Sequence, residues 1–340
     1  MATLTVGSNF GLRMDELTLS YLWDGEDLLT GRTLFRTRND SVSFTDYQGF
    51  FLYHIFTDEV IGGDLTAINH YQRGSLAFSI RGLDVDMGRF LDWVDWDDID
   101  IALAVMLGGA DVITGGSAAD TLEGFAGDDV LNGRGGADDL VGGTGNDRYY
   151  VDNAGDAVIE LIGQGRDQVI ASRSYALTLG SSIESLSASG AAGAIALTGN
   201  SFGQTITGNA SANAIRGGGG ADVLDGRLGQ DVLTGGTGSD TFFFSTALGS
   251  TNVDGITDFY APQDAIRLDD AVFTGLAAGA LASGAFRIGT AAGDADDRIV
   301  YDKATGALSF DRDGLGGAAA VKFAQLVAGT SLSAADFFVV

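Results

Sequence analysis

The chain has no cysteine, one proline, two histidines and few basic residues, and each shortage excludes something. Without cysteine, neither disulfides nor zinc–thiolate sites are available. Pro262 alone leaves almost no slow prolyl isomerisation to delay folding. His54 and His70 are the whole histidine complement, so the H-E-x-x-H helix of a zinc protease is absent. No run approaches ~18 consecutive apolar residues, so no membrane-spanning helix is expected. The opening MATLTVGSNFGLRMDELTLSYLW has no basic n-region and no continuous apolar stretch, so a cleaved signal peptide is not expected. Nineteen basic against 46 acidic residues leave a net charge of −27, which repels phosphate and argues against nucleic-acid binding.

Glycine and aspartate are what the chain has in quantity, and they are phased. Between Met106 and Tyr150 the text divides into nines: MLGGADVIT, GGSAADTLE, GFAGDDVLN, GRGGADDLV, GGTGNDRYY. The sixth place is always aspartate: Asp111, Asp120, Asp129, Asp138, Asp147. The eighth is large and apolar: Ile113, Leu122, Leu131, Leu140, Tyr149. A second block starts at Gly199: GNSFGQTIT, GNASANAIR, GGGGADVLD, GRLGQDVLT, GGTGSDTFF. Its sixth places are Gln204, Asn213, Asp222, Asp231 and Asp240, and its eighth places Ile206, Ile215, Leu224, Leu233 and Phe242.

A nine-residue period reads as half a coil: a six-residue turn, then a three-residue strand whose central side chain points inward. That inward residue cannot bury itself alone, so coils must stack to make a core. Glycine supplies positive φ and leaves room for the backbone to curl around an ion. Backbone carbonyls with an aspartate carboxylate make the hard oxygen set that calcium takes. The candidate metal residues of the first block are Gly108, Gly109, Gly115, Gly116, Gly124, Gly127, Gly133, Gly136, Gly142, Gly143 and Gly145, with its five aspartates. Those of the second are Gly217, Gly218, Gly220, Gly226, Gly229, Gly235, Gly236 and Gly238, with Asn213, Asp222, Asp231 and Asp240. Two repeats complete a coil, so turns on one edge recur every 18 residues. Asp111, Asp129 and Asp147 then share one edge, and Asp120 and Asp138 the other. Asp222 pairs with Asp240, and Asn213 with Asp231. Ions between adjacent turns give roughly three sites in the first block and about two in the second. The bland alternative is a metal-free solenoid whose aspartates only cap turns. Ten phased repeats are more order than turn capping requires.

The pattern G-G-x-G-x-D-x-U-x resembles the RTX, or hemolysin-type calcium-binding, family, and about 90 residues carry it directly. The resemblance implies an all-β protein, a parallel β-roll of nonapeptide coils holding several calcium ions. It also implies secretion from a Gram-negative bacterium to the extracellular side by type I secretion machinery, with the acidic chain unfolded inside the cell, where calcium is scarce. Calcium then takes the place of the missing disulfides. Residues 244–340, with DGITDFYAPQDAIRLDD, DADDRIVYDKATGALSFDRDGLGG and AVKFAQLVAGTSLSAADFFVV, resemble the C-terminal region of serralysin-like proteases. That likeness implies a β-rich cap and an uncleaved secretion signal ending in Asp336-Phe337-Phe338-Val339-Val340. The serralysin zinc helix has no counterpart here, so the resemblance lends no catalytic domain.

Residues 1–105 stand apart from the repeats. SVSFTDY, FFLYHIFTDEV and SLAFSIRGLDV alternate apolar and polar residues, which predicts a mostly β domain. His54 and His70 read as packed or surface histidines, or as a shared metal or heme site. In MGRFLDWVDWDDIDIALAVML, Phe90, Leu91, Val94 and Ile99 suit one face of a helix capping the first coil. The same stretch sets Asp92, Asp95, Asp97, Asp98 and Asp100 around Trp93 and Trp96, as a carbohydrate cleft or two-carboxylate glycosidase would need.

Residues 151–198 read as degenerate, metal-poor coils in which Gly165, Asp167 and Val169 echo places four, six and eight. One solenoid over 106–243 is therefore expected. GNSFG matches G-x-S-x-G, with Ser201 as its serine, but it coincides with a repeat, and no histidine follows His70 to complete a triad. Asp311-x-Asp313-Gly314 opens like a calcium loop, lacks the further ligands of an EF-hand, and is expected to be a polar hairpin turn. The function expected is a secreted, calcium-folded structural, surface-associated or adhesive matrix component that self-assembles or meets cell-surface glycan. The alternative is a secreted enzyme or a glycan or heme binder acting through residues 1–105, with Asp84 and Asp86 beside the tryptophan stretch.

Overall fold

Among the described residues nearly every regular element is a β-strand. The computed structural model describes residues 107–340 throughout and, ahead of them, the backbones of six strands. His54, Trp93, Trp96 and the segment expected to form a capping helix lie outside the described residues. The chain divides into two compact units, Met1–Asp167 and Gln168–Val340. Among the described residues no helix is long and apolar enough to cross a membrane.

In the first unit, β1 (Thr3–Val6), β2 (Glu26–Asp27), β3 (Leu34–Arg38), β4 (Ser43–Tyr53), β5 (Val60–Gln72) and β6 (Ser75–Asp86) form an antiparallel sheet ordered β1-β6-β5-β4-β3-β2. His70 lies on β5, and Asp84 and Asp86 on β6. The repeats then give β7 (Val112–Thr114), β8 (Thr121–Glu123), β9 (Val130–Asn132), β10 (Asp139–Val141), β11 (Arg148–Val151) and β12 (Ala157–Ile159). Alternate strands stack in parallel, β7–β9–β11 on one side and β8–β10–β12 on the other. The register places Ile113 on Leu131 on Tyr149, and Leu122 on Leu140 on Val158. A three-residue strand can turn only its central side chain inward, and these six are fully buried. Each such burial contributes ~1.5–3 kcal/mol. Where the sequence suggests a seal from residues 87–107, the open edge of β7 is paired by β1, in parallel from Thr3 on Val112 to Thr5 on Thr114. An unpaired sheet edge is a template for aggregation, and this pairing removes it.

The second unit continues with β13 (Gln168–Ala171), β14 (Tyr175–Ala176), β15 (Ser185–Ala188), β16 (Ala196–Thr198), β17 (Thr205–Thr207), β18 (Ala214–Gly219), β19 (Val223–Asp225), β20 (Val232–Thr237), β21 (Thr241–Phe244), β22 (Asp254–Ile256) and β23 (Ala265–Leu268). Then come β24 (Gly279–Ala280), β25 (Phe286–Ile288), β26 (Ile299–Asp302), β27 (Ala307–Phe310), β28 (Val321–Gln325) and β29 (Phe337–Val339). One sheet is parallel from β13 through β15, β17, β19, β21 and β23 to β29. The other is parallel from β14 through β16, β18, β20 and β22 to β28.

The parallel stacking runs past the last repeat. Ile256 lies on Leu233 and Ile266 on Phe242, both deeply buried. Beyond them Phe244, Phe273, Phe310 and Phe323 pack edge to face at 5.0–5.2 Å between ring centres. Asp311, Asp313 and Gly314 (φ 63°) open the connection between β27 and β28, which pair antiparallel, so the polar hairpin turn is there. The C-terminal Phe337 and Val339 are buried in β29 against β23.

Candidate metal centre

Each sixth-place aspartate sits where the turn hands over to the strand, so its side chain lies under the turn. Asp111, Asp120, Asp129, Asp138, Asp147, Asp222, Asp231 and Asp240 are all 2% exposed or less. One carboxylate oxygen ties neighbouring turns together. The N–H of Asp111 donates to Asp129 Oδ1 at 2.7 Å and that of Asp129 to Asp147 Oδ1 at 2.7 Å. On the other edge Asp120 donates to Asp138 at 2.9 Å. In the second unit Asn213 donates to Asp231 at 2.6 Å and Asp222 to Asp240 at 3.0 Å. All five bonds span 18 residues, the step expected from two repeats per coil.

The other oxygen is left over. Oδ2 of Asp129, Asp138, Asp147, Asp222, Asp231 and Asp240 is buried without a hydrogen-bond partner. Leaving such an acceptor unsatisfied costs about 1–3 kcal/mol, more when it is charged. Asp120 differs, because its Oδ2 accepts the N–H of Gly116 at 2.6 Å.

First-place glycines keep the space beside that oxygen open. A methyl group at Gly124 would lie against Asp129 Oδ2 and 2.7 Å from the Gly142 carbonyl oxygen. At Gly115 it would lie 2.5 Å from both Asp120 Oδ2 and the Gly133 carbonyl oxygen. Gly133, Gly142, Gly217, Gly226 and Gly235 face their own aspartates in the same way. A carboxylate of one turn and a carbonyl of the next therefore converge on one small space. Fourth-place Gly127 and Gly145 take φ 118° and 136°, which brings Gly145 onto the Gly127 carbonyl. Gly136, Gly220, Gly229 and Gly238 repeat that conformation, as do Gly143, Gly218 and Gly236 in second place. Gly108 and Gly109 open the first turn, and Gly127 packs over the Gly109 carbonyl.

These donors are all oxygens, some anionic, with buried lone pairs that no protein group fills, and they fit a hard divalent cation. The RTX calcium-binding nonapeptide repeat matches here in four copies, at residues 107–140, 114–149, 198–233 and 207–242. The repeats bind calcium. Several repeats take several ions. Among solved structures, the extracellular lipase LipA from Serratia marcescens is similar at 17% identity over 68% of this chain and 38% of that one, with a TM-score of 0.16. This chain thus spans well under half of that lipase, and nothing of its activity transfers. No curated protein matches the chain.

The electrostatics of the RTX turns follow from their burial. Desolvation, reinforced by the charges of Asp147 and Asp111, pushes Asp129 up to about 8 against the pull of the Asp111 N–H. Asp138 and Asp222 rise to about 6 for the same reasons. Asp147 and Asp240 rise as well, burial leading. A divalent ion between the turns inverts that balance, because its charge favours the ionised carboxylates.

The aspartate ladders outrun the recognisable repeats. Asp138 N–H donates to Asp156 at 3.1 Å, and Asp147 N–H to Asp167 at 2.8 Å, across 18 and 20 residues. Asp231 donates to Asp254 at 3.1 Å and Asp240 to Asp264 at 3.0 Å, across 23 and 24 residues. Of these four, the sequence singles out only Asp167, as an echo of the motif off the strict phase. VDNAGDAVI, residues 151–159, keeps places six and eight and could have revealed Asp156. Asp254 and Asp264 are hidden by insertions in their turns.

At the head of the second block, side-chain amides tie the turns together. Asn213 lies on the edge with Asp231, but its own Oδ1 accepts the N–H of Asn209 at 2.8 Å. Gln204 Oε1 accepts from Asn200 N–H at 3.2 Å. Asn200 Nδ2 donates to the carbonyls of Thr178 and Ser181 at 3.0 and 2.7 Å, and Asn209 Nδ2 to those of Ser189 and Gly193 at 3.1 and 2.9 Å. A side-chain N–H donor thus meets the preceding coil's carbonyls at both turns. Ser201 of GNSFG is an exposed turn residue of this same repeat, between β16 and β17.

Proposed function

We propose that the protein is a secreted calcium-binding protein that folds when it meets extracellular calcium, and that it serves as a structural, surface-associated or adhesive matrix component. The observation that carries this reading is the row of buried aspartate oxygens without partners. With a net charge of −27 and 52 glycines, the metal-free chain pays a high entropic and repulsive penalty to coil up. An unfolded chain is what a narrow export channel requires, so type I secretion machinery is the partner this reading implies. The ions are held by sixth-place aspartates of adjacent turns, Asp111 with Asp129, Asp129 with Asp147, Asp120 with Asp138 and Asp222 with Asp240, together with glycine carbonyls. Extracellular calcium at roughly 10⁻⁴–10⁻³ M is the working range of such modules. Residues 244–340 act as cap and export signal, and the pairing of β29 with β23 supports them as the place where coiling starts after export. Flat solenoid faces then serve self-association or contact with glycan.

Light scattering of the full chain, in chelator and then in millimolar calcium, tests the matrix role. Chelator-reversible growth from an expanded monomer to large assemblies is expected. A compact calcium-loaded monomer would reduce the solenoid to a folding and export device.

A further inference from the structure

The first RTX block ends differently from the second. Residues 151–159 keep the repeat phase, so Glu160 occupies the first place of the next coil. β10 and β12 pair Val141 with Ile159, and the residues that follow are Gly142 and Glu160. Elsewhere a first-place glycine leaves empty space beside the aspartate carboxylate; here a glutamate enters it. Glu160 is 1% exposed, as are Asp147 and Asp167, and one oxygen from each of the three lies within 4.8 Å of the others. The Tyr149 hydroxyl donates to Glu160 Oε1, and the Gly143 N–H bonds to the same carboxylate. Asp147 Oδ1 is taken by the Asp129 N–H, while its buried Oδ2 has no hydrogen-bond partner.

We propose that Asp147, Glu160 and Asp167 form a three-carboxylate cation site, of different composition from the repeat sites, that closes the first block. A repeat site offers two carboxylates and carbonyl oxygens. This one adds a third negative charge, and affinity for calcium rises with ligand charge. It is therefore the first site to fill. Tyr149 is a positioning residue: its hydroxyl fixes Glu160 where the other first-block repeats carry Ile113, Leu122, Leu131 and Leu140. The fifth repeat of the second block has Phe242 in that place, packed against the Phe259 ring at 5.9 Å, and offers no hydroxyl. The choice of ion rests on calcium binding by the repeats; the site itself rests on the geometry above.

The test compares the full chain with Glu160→Gln, which keeps the shape and removes one charge. Calcium binding is counted by calorimetry, and terbium bound to the full chain is followed by tyrosine-sensitised emission. Glu160→Gln is expected to bind one calcium fewer, to lose the tightest class, and to be at least as well folded in chelator as the parent. Unchanged stoichiometry and an unchanged tightest constant overturn the site while leaving the repeats intact. A parent chain that binds no calcium overturns the calcium reading itself. If Glu160→Gln does not fold in calcium, Tyr149→Phe decides, since it keeps all three carboxylates. Reduced emission from the first terbium equivalent supports the site, and undiminished emission overturns it.

Discussion

Asp129 carries two oxygens with different tasks. Oδ1 accepts the Asp111 N–H and ties two turns, while Oδ2 is buried with nothing donating to it. Asp129→Asn keeps the first and neutralises the second. It is expected to weaken calcium-dependent folding by about tenfold in concentration, ~1.4 kcal/mol, without weakening the fold in chelator. A calcium titration and a urea melt in chelator measure the two arms. Gly124→Ala attacks the same site from the other side, since its methyl group meets Asp129 Oδ2 and the Gly142 carbonyl.

The raised carboxyl groups set a pH dependence. Asp129, at 3.8 ordinarily and about 8 in the folded chain, keeps its proton where the unfolded chain has released it. Its contribution to the metal-free fold is full below 3.8 and is lost as pH rises through about 8, with Asp138 and Asp222 lost through about 6. Calcium needs the ionised form, so its affinity rises over the same window. Circular dichroism in chelator is expected to show more β-structure near pH 5 than near pH 8. In limiting calcium the order reverses.

At the scale of elements, a strand and its turn are one unit, and the core of each coil is two side chains. Leu131, the centre of β9, lies between Ile113 and Tyr149 with no other residue to take its place. Leu131→Ala is expected to cost about 2–5 kcal/mol, read as a rise in the calcium needed for folding. Arg134 is exposed. Like Phe125 and Arg227, it is held at positive φ, here 59°, in the second place, which Gly143, Gly218 and Gly236 take in other turns. Arg134→Gly is expected to stabilise the calcium-loaded protein by up to ~1 kcal/mol in thermal melts. A lower melting temperature would mean that the arginine side chain contributes more than its backbone conformation costs.

Much of this scale is legible in the sequence, because place eight names the buried residue of each coil and place six the ladder. Legibility stops where insertions break the period. The backbone can bulge in a turn and still bring an aspartate under the previous coil, as at Asp254 and Asp264, so the ladder survives when the spacing does not. Glu160 was hidden for another reason: it replaces the glycine that the motif leads one to expect. The pairing of β1 with β7 joins residues more than a hundred positions apart, which no local pattern announces.

For the whole molecule, the net charge of −27 and the buried carboxylates are what the proposed calcium-dependent folding rests on. Monovalent salt screens surface charge but reaches buried groups poorly, so sodium chloride in chelator is expected to restore little structure. Ions that bind only the folded chain stabilise it by mass action, each site adding to the others. The most direct measurement is far-ultraviolet circular dichroism of the full chain, taken from chelator through a calcium titration. The account predicts a largely unfolded spectrum in chelator and a cooperative gain of β-structure as calcium approaches the millimolar range. The same β spectrum in chelator as in calcium would contradict it.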